Sequence, residues 1–236
     1  YGTFFGGACG GCNVFTWWPI TWAEGDPVMN EDGTEALLNS DTMKMIYSTF
    51  GALWDEGVIH PDSQQEAGPT WTGYFPAGGI GIMPMPASLQ GMANENLADE
   101  DIGVTPIAGV SGGESTFVGG DSIGISKDSQ NVDQAWNFIS WMLDDEAQVE
   151  VVAKGGNVVA RSDLADNQYS AEDPRLVTFN EVAGVGETPL AQNFFAAFND
   201  PQSPWIQLFR AAVFDDADDA AIDELNDGIT FVLQGG

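Results

Sequence analysis

The chain has 236 residues, with 36 Asp plus Glu against 6 Lys plus Arg and a formal net charge of −30 at pH 7. So uniformly anionic a surface repels a phosphate backbone or an anionic lipid leaflet and holds no basic patch to release counterions, which excludes nucleic acid and membrane surfaces as partners. The composition is still that of a folded protein, 43% hydrophobic and 11% aromatic, enough for the core of one large domain or two small lobes.

Residues 1 to 23 carry Tyr1, Phe4, Phe5, Phe15, Trp17, Trp18 and Trp22 and no charge. Glycines and Pro19 interrupt this stretch, and Pro69, Pro76, Pro84 and Pro86 interrupt the uncharged stretch 67 to 94, so neither reads as a membrane span. Trp17 and Trp18 would face opposite sides of a strand. Aromatic faces beside glycine backbone suit a neutral, polyhydroxylated ligand whose C–H face packs on indole; the competing reading is that these Trp are core. Trp17, Trp18, Trp22 and Trp71 are expected to include at least two pocket walls. Cys9-Gly-Gly-Cys12 lies in the same stretch. Zinc would need two more ligands, with His60 the only histidine, and a redox pair is usually placed at a helix N-terminus, whereas the flanking glycines suggest a flexible or tightly turning loop. A disulfide between Cys9 and Cys12 that braces the loop is expected. The start at Tyr1, with no initiator Met and no cleavage signal, reads as a cut end.

Asn39 or Ser40 caps a helix whose apolar residues Met43, Ile46, Tyr47, Phe50, Leu53 and Trp54 follow helical spacing, with Gly57 to end it. Short strands are expected at Ile80 to Met83, Ile102 to Ile107 and Phe117 to Ile125, separated by loops at 67 to 79, 108 to 113 and 184 to 189. Helices follow at about Val132 to Leu143 and Asp144 to Lys154, paired as a hairpin, and then at Pro204 to Phe214 and Asp218 to Leu233. Interspersed helices and strands give an α/β fold class.

Groups for covalent chemistry are scarce. The sequence has one His and neither a Gly-x-Ser-x-Gly elbow nor a phosphate-binding Gly-Lys loop, so no catalytic residue, cofactor or metal is assigned. His60, at a helix exit, is expected to interact with the preceding carbonyls. The cluster Asp215, Asp216, Asp218, Asp219, Asp223, Glu224 and Asp227 lacks the calcium-loop pattern and reads as a solvated helix face. Carboxylates spread along the whole chain suggest adaptation to high salt, where a Debye length of roughly 3 Å at 1 M screens self-repulsion.

The order of several segments resembles the extracellular solute-binding proteins of ABC importers, in particular the sugar-binding group that includes maltose-binding protein. The resemblance covers nearly the whole chain. It runs through Trp54-Asp-Glu-Gly-Val-Ile-His-Pro, Phe75-Pro-Ala-Gly-Gly-Ile-Gly-Ile-Met83, Ile102-Gly-Val-Thr-Pro-Ile107, Phe117-Val-Gly-Gly-Asp-Ser-Ile-Gly-Ile-Ser126, Gln134-Ala-Trp-Asn-Phe-Ile139, Gly155-Gly-Asn-Val-Val-Ala-Arg-Ser162, Asp173-Pro-Arg175 and Trp205. It implies a periplasmic-binding-protein-like type II fold: second-lobe residues 1–120 with an aromatic ligand-facing loop, a first-lobe segment 121–164 of strand and helical hairpin, and second-lobe C-terminal helices 165–236. The chain would then be the C-terminal portion of a longer protein. The implied function is to bind a sugar or polyol, extracellularly or in the periplasm, and deliver it, as a monomer, to ABC permease subunits. The anchor would lie in an N-terminal region absent from this chain. The alternative is a secreted carbohydrate-active enzyme or a carbohydrate-binding module. The candidate ligand set is Trp17, Trp18, Trp22, Trp71, Gly119, Gly120, Asp121, Asn157, Arg161 and Trp205.

Overall fold

The computed structural model of the chain describes every residue except 88–97, 99, 100 and 121. Its organising feature is a narrow parallel arrangement centred on Thr3, which bridges Ile59 on one side and Ile82 on the other. Backbone bonds from the Gly2 amide to the Val58 carbonyl (2.9 Å), from His60 to Thr3 (3.0 Å) and from Ile82 to Gly2 (2.9 Å) hold the three extended segments together. Parallel neighbours require a crossover connection, usually helical, and helices supply it here.

Helix α1 (Gly10–Ala23) follows the central segment and α2 (Asp41–Asp55) precedes the second. Ser40 caps α2 by accepting the Met43 amide. The helix ends with Gly57 at φ +70°, with the Val58 amide returning to the Leu53 carbonyl and the Gly57 amide to Trp54, the paired bonds that let a glycine close a helix. Helix α1 departs from the expected loop. Its Gly-rich start and internal Pro19 argue against a helix, yet Cys9 caps it, and ten of its fourteen residues are buried, so packing rather than propensity sets its conformation.

Helices α3 (Val132–Met142) and α4 (Asp145–Ala147, continued by a π turn over Gln148–Ala153) form the expected hairpin. Helix α5 (Pro174–Ala183), unforeseen, starts from Asp173 as cap and Pro174 in its first turn. Helices α6 (Pro204–Phe214) and α7 (Asp219–Leu233) fall where expected.

The predicted strands contract. Strands β1 (Ile107–Ala108) and β2 (Glu114–Ser115) form a two-residue antiparallel pair. Among the described residues, the segments expected at 80–83 and 117–125 pair only through Ile82 with Thr3 and Phe117 with Glu187. Side-chain alternation reveals an extended backbone, not whether a second strand lies alongside it.

The main core joins α1, α2, α6 and α7. Trp17, Trp18, Trp205, Phe198 and Phe209 are at most 1% exposed. A smaller cluster holds Phe4, Cys12, Trp71 and Ile80, with Cys9, Tyr74, Phe75 and Met83 packed against it.

Candidate ligand-binding surface

In an open parallel α/β sheet, ligands bind beyond the carboxyl ends of the strands. Here the central segment runs from Thr3 through Phe4 and Phe5 into Gly6–Gly11, the approach to α1. Close packing fixes this turn: the Gly7 amide bonds the Ser63 carbonyl at 2.8 Å, the Ala8 amide bonds Glu66 at 2.9 Å, and Arg210 donates to the carbonyls of Gly7 and Gln64. A Cβ on Gly7 would stand 2.4 Å from the Ser63 oxygen, and one on Gly10 would stand 2.1 Å from the Phe198 oxygen. Glycine at both positions lets the backbone approach that closely.

At the head of α1 the Gly10 and Gly11 amides have no acceptor among the described residues. Four residues on, on the same helical face, Phe15 is 42% exposed. Phe117 meets its ring edge-on at 4.7 Å. The Cβ position of Gly119 lies 3.9 Å from the Phe15 ring, and Asn199 Oδ1 lies 3.3 Å from that of Gly11. Pro19 carries no amide to bond the Phe15 carbonyl. The surface thus combines an accessible aromatic face, exposed glycine backbone at Gly119, the free amide of Gly11 and the amide side chain of Asn199; Gly10 is buried beneath it. Asn13, one turn from Cys9, is fully buried, and neither polar atom of its side chain has a partner.

The predicted site residues are dispersed. Trp17, Trp18 and Trp205 are corrected to core. Trp17 is surrounded by Phe5, Phe50 and Phe209, and Trp18 by Trp22, Phe194, Phe198 and Trp205. Trp205 donates its indole N–H to the Gly10 carbonyl at 3.2 Å. The adjacent indoles both find apolar neighbours because a buried helix, unlike a strand, is enclosed on several sides. Trp71 is likewise buried, in the smaller cluster. Trp22 is 6% exposed and borders a groove of about 280 Å³ with Pro27 to Glu31 and Glu187 to Leu190.

Gly119 and Gly120 are exposed beside Phe15, whereas Asp121 lies outside the described residues. Asn157 bonds the Gly155 carbonyl at 3.2 Å, and Arg161 forks between Asp145 (2.7 Å) and Asp163. The guanidinium holds the Asp163 carboxyl below its usual range, so Asn157 and Arg161 serve local structure here. A larger hollow of about 670 Å³ lies between 102–104 and the start of α5. There Arg175 is engaged with Asp173, whose carboxyl it holds low.

Cys9 and Cys12 are bonded, and they sit at a helix N-terminus rather than in a flexible loop. His60 accepts the Asp62 amide instead of meeting carbonyls, and packs among Tyr1, Phe4 and Tyr74. Asp218 of the acidic cluster caps α7, and Asp223 pairs with Lys44 at 3.0 Å. No metal-holding group of His, Cys, Asp or Glu occurs among the described residues. Phe15 was the functional candidate hidden in the sequence. Only the helical phase of α1 separates it from its buried neighbours.

A family profile described as bacterial extracellular solute-binding protein matches residues 13–178. Proteins of Brucella abortus and Brucella suis, named no more specifically than binding proteins, are 22% identical over 159 residues, which is 67% of this chain and 38% of theirs. Among solved structures, the sugar-binding protein MalE of Xanthomonas citri superposes with a TM-score of 0.79 at 15% identity, covering 100% of this chain and 58% of that one. Maltose-bound MalE3 of T. maritima gives 0.76 at 16%, and a cyclic α-maltosyl-1,6-maltose binding protein of Arthrobacter globiformis 0.75 at 19%, each covering 100% of this chain and 60% of the other. The fold is therefore that of MalE-type binding proteins, of whose length this chain spans about three-fifths.

Proposed function

The chain belongs to the bacterial extracellular solute-binding proteins, and from that premise we propose that it binds a sugar or related polyhydroxylated solute and delivers it to the membrane subunits of an ABC importer. The observation that carries this reading is the surface at the head of α1. Phe15 offers a ring face to sugar C–H groups, while the Gly11 amide and Asn199 offer donors and an acceptor to hydroxyls. In this reading Gly119 and Gly120 admit the solute to backbone, Asp121 supplies an acceptor, and Trp22 bounds the neighbouring groove.

The segment 121–164 is proposed as part of a first lobe, set between second-lobe portions 1–120 and 165–236. Its helix α3 leaves Trp136 61% and, on another side, Phe138 55% exposed, surfaces suited to cover by the further length that the relatives possess. The protein would act outside the cytoplasm, as a monomer held at the membrane through a region other than these helices. None of the described helices is long and apolar enough to cross a membrane.

The test is a thermal-shift panel of sugars, polyols and osmolytes on the full-length protein. A solute at one hundred times its Kd adds about 2.7 kcal/mol of stability. A rise in Tm confined to one chemical class, lost in Phe15→Ala with the fold intact, supports the reading. A panel with no response, or turnover of a glycoside, overturns it.

A further inference from the structure

The Cys9–Cys12 pair has no part in the solute-binding reading. Its two sulfurs stand in unequal positions: Cys12 is 8% exposed while Cys9 is only half-buried. An incoming thiolate therefore meets Cys9 first. The side chains of Phe4, Trp71 and Ile80 pack with the pair, and glycine backbone approaches it closely. A Cβ on Gly6 would stand 3.3 Å from the Cys12 sulfur, and one on Gly68 would stand 3.2 Å from the Cys9 sulfur and 3.5 Å from that of Cys12.

Three features favour the reduced form. Cys9 Sγ already accepts the Cys12 amide at 3.1 Å, the Gly10 and Gly11 amides beside it are free, and the pair heads a helix of 14 residues. Oriented amides and the positive end of a helix stabilise a thiolate. The Glu66 carboxylate, turned onto the Gly68 amide at 2.6 Å, opposes this. In the same cluster Trp71 is 5% exposed, and its indole N–H has no partner. Stabilising the reduced state makes a disulfide more oxidising and more readily exchanged.

We propose that Cys9–Cys12 is an exchangeable disulfide that takes electrons from a dithiol partner. A thiolate of the partner attacks Cys9 Sγ, forming a mixed disulfide and releasing Cys12 as a thiolate. The partner's second thiolate then attacks its own half of the mixed disulfide and releases Cys9. Two electrons pass to this chain, the partner leaves as a disulfide, and the partner's two thiol protons balance the new thiols.

The folded, unmutated protein is equilibrated with millimolar reduced glutathione, quenched with an alkylating reagent and weighed intact, with circular dichroism to establish that it stays folded. Two labels on folded chains are expected; labelling only in denaturant would make the disulfide a structural brace and overturn the proposal. The order of attack is tested with an aromatic disulfide reagent. Cys9 in Cys12→Ser should react at least about tenfold faster than Cys12 in Cys9→Ser. Equal rates or the reverse order would overturn the assignment of Cys9 as the attacked sulfur, and the glutathione result holds whether or not either variant folds.

Discussion

Helices α1 and α3 are both rich in aromatic residues, and the structure treats them in opposite ways. Trp17 and Trp18 are 1% and 0% exposed, whereas Trp136, Phe138 and Trp141 are 61%, 55% and 42% exposed. The indoles of α1 are enclosed by α2, α6 and the π turn Phe195–Asn199, while within α3 only Ile139 is buried. Hydrophobicity states that a side chain gains by leaving water; the opposing element decides whether it does. An aromatic-rich segment therefore identifies a surface that needs a partner without saying whether the partner is core, ligand or another lobe.

The sharpest test of the contrast is a pair of truncations. Trp18→Ala should cost about 3–5 kcal/mol in urea unfolding, since it removes a buried indole and leaves a cavity. Trp136→Ala should change stability by no more than about 0.5 kcal/mol. Equal losses would show that α3 is covered and would break the comparison. Salt provides the second test. Screening the −30 charge should raise Tm by several degrees between dilute buffer and molar sodium chloride. An unchanged Tm would remove the high-salt reading of the acidity.

Asn13 sharpens the contrast from inside α1, as a polar group buried without a partner. Asn13→Leu should leave stability unchanged or raise it by about 1 kcal/mol, because it removes the desolvation cost of an unbonded amide. If that amide awaits the solute, calorimetry should show weaker binding.

The smallest effects concern surface carboxylates. Arg161, Arg175, and Asn39 with Lys44 hold Asp163, Asp173 and Asp223 respectively below the usual carboxylate range. Groups whose pKa is lower in the folded state add stability above their unfolded pKa and lose it as pH falls through the folded value. Acid titration should therefore reduce Tm progressively below the ordinary carboxylate range, and Arg175→Ala should flatten that loss, read from Tm against pH. Asp173→Ala, which also removes the cap of α5, should cost about 0.5–2 kcal/mol.

The helices with complete local signals were legible from the sequence: Ser40 and Gly57 bound α2, Ser203 and Pro204 open α6, and Asp218 opens α7. Helix α1 was not, because Gly10, Gly11 and Pro19 each disfavour a helix that only distant packing justifies. The strands were legible as extended segments but not as a sheet, since one central residue, Thr3, makes both bridges. The site suffered the same error at one remove. Read as loop or strand, residues 13 to 22 direct attention to the largest rings; read as a helix, the same residues bury the indoles and leave Phe15 outside.

The hydrogen bond from Trp205 to Gly10, and those of Asn226 with the Leu38 amide and Ala36 carbonyl, join residues 188 to 195 positions apart. Made at about 5–20 residues per second, the chain has its α1 indoles for about 10–40 s before α6 exists to receive them. During that interval Trp17 has Phe5 and Phe50, and Trp18 has Trp22, but neither has its partners from residues 194–209. The enclosure of the α1 indoles is therefore completed only when the helices α6 and α7 have been made, so aromatic surface is more exposed on the nascent chain than on the finished fold.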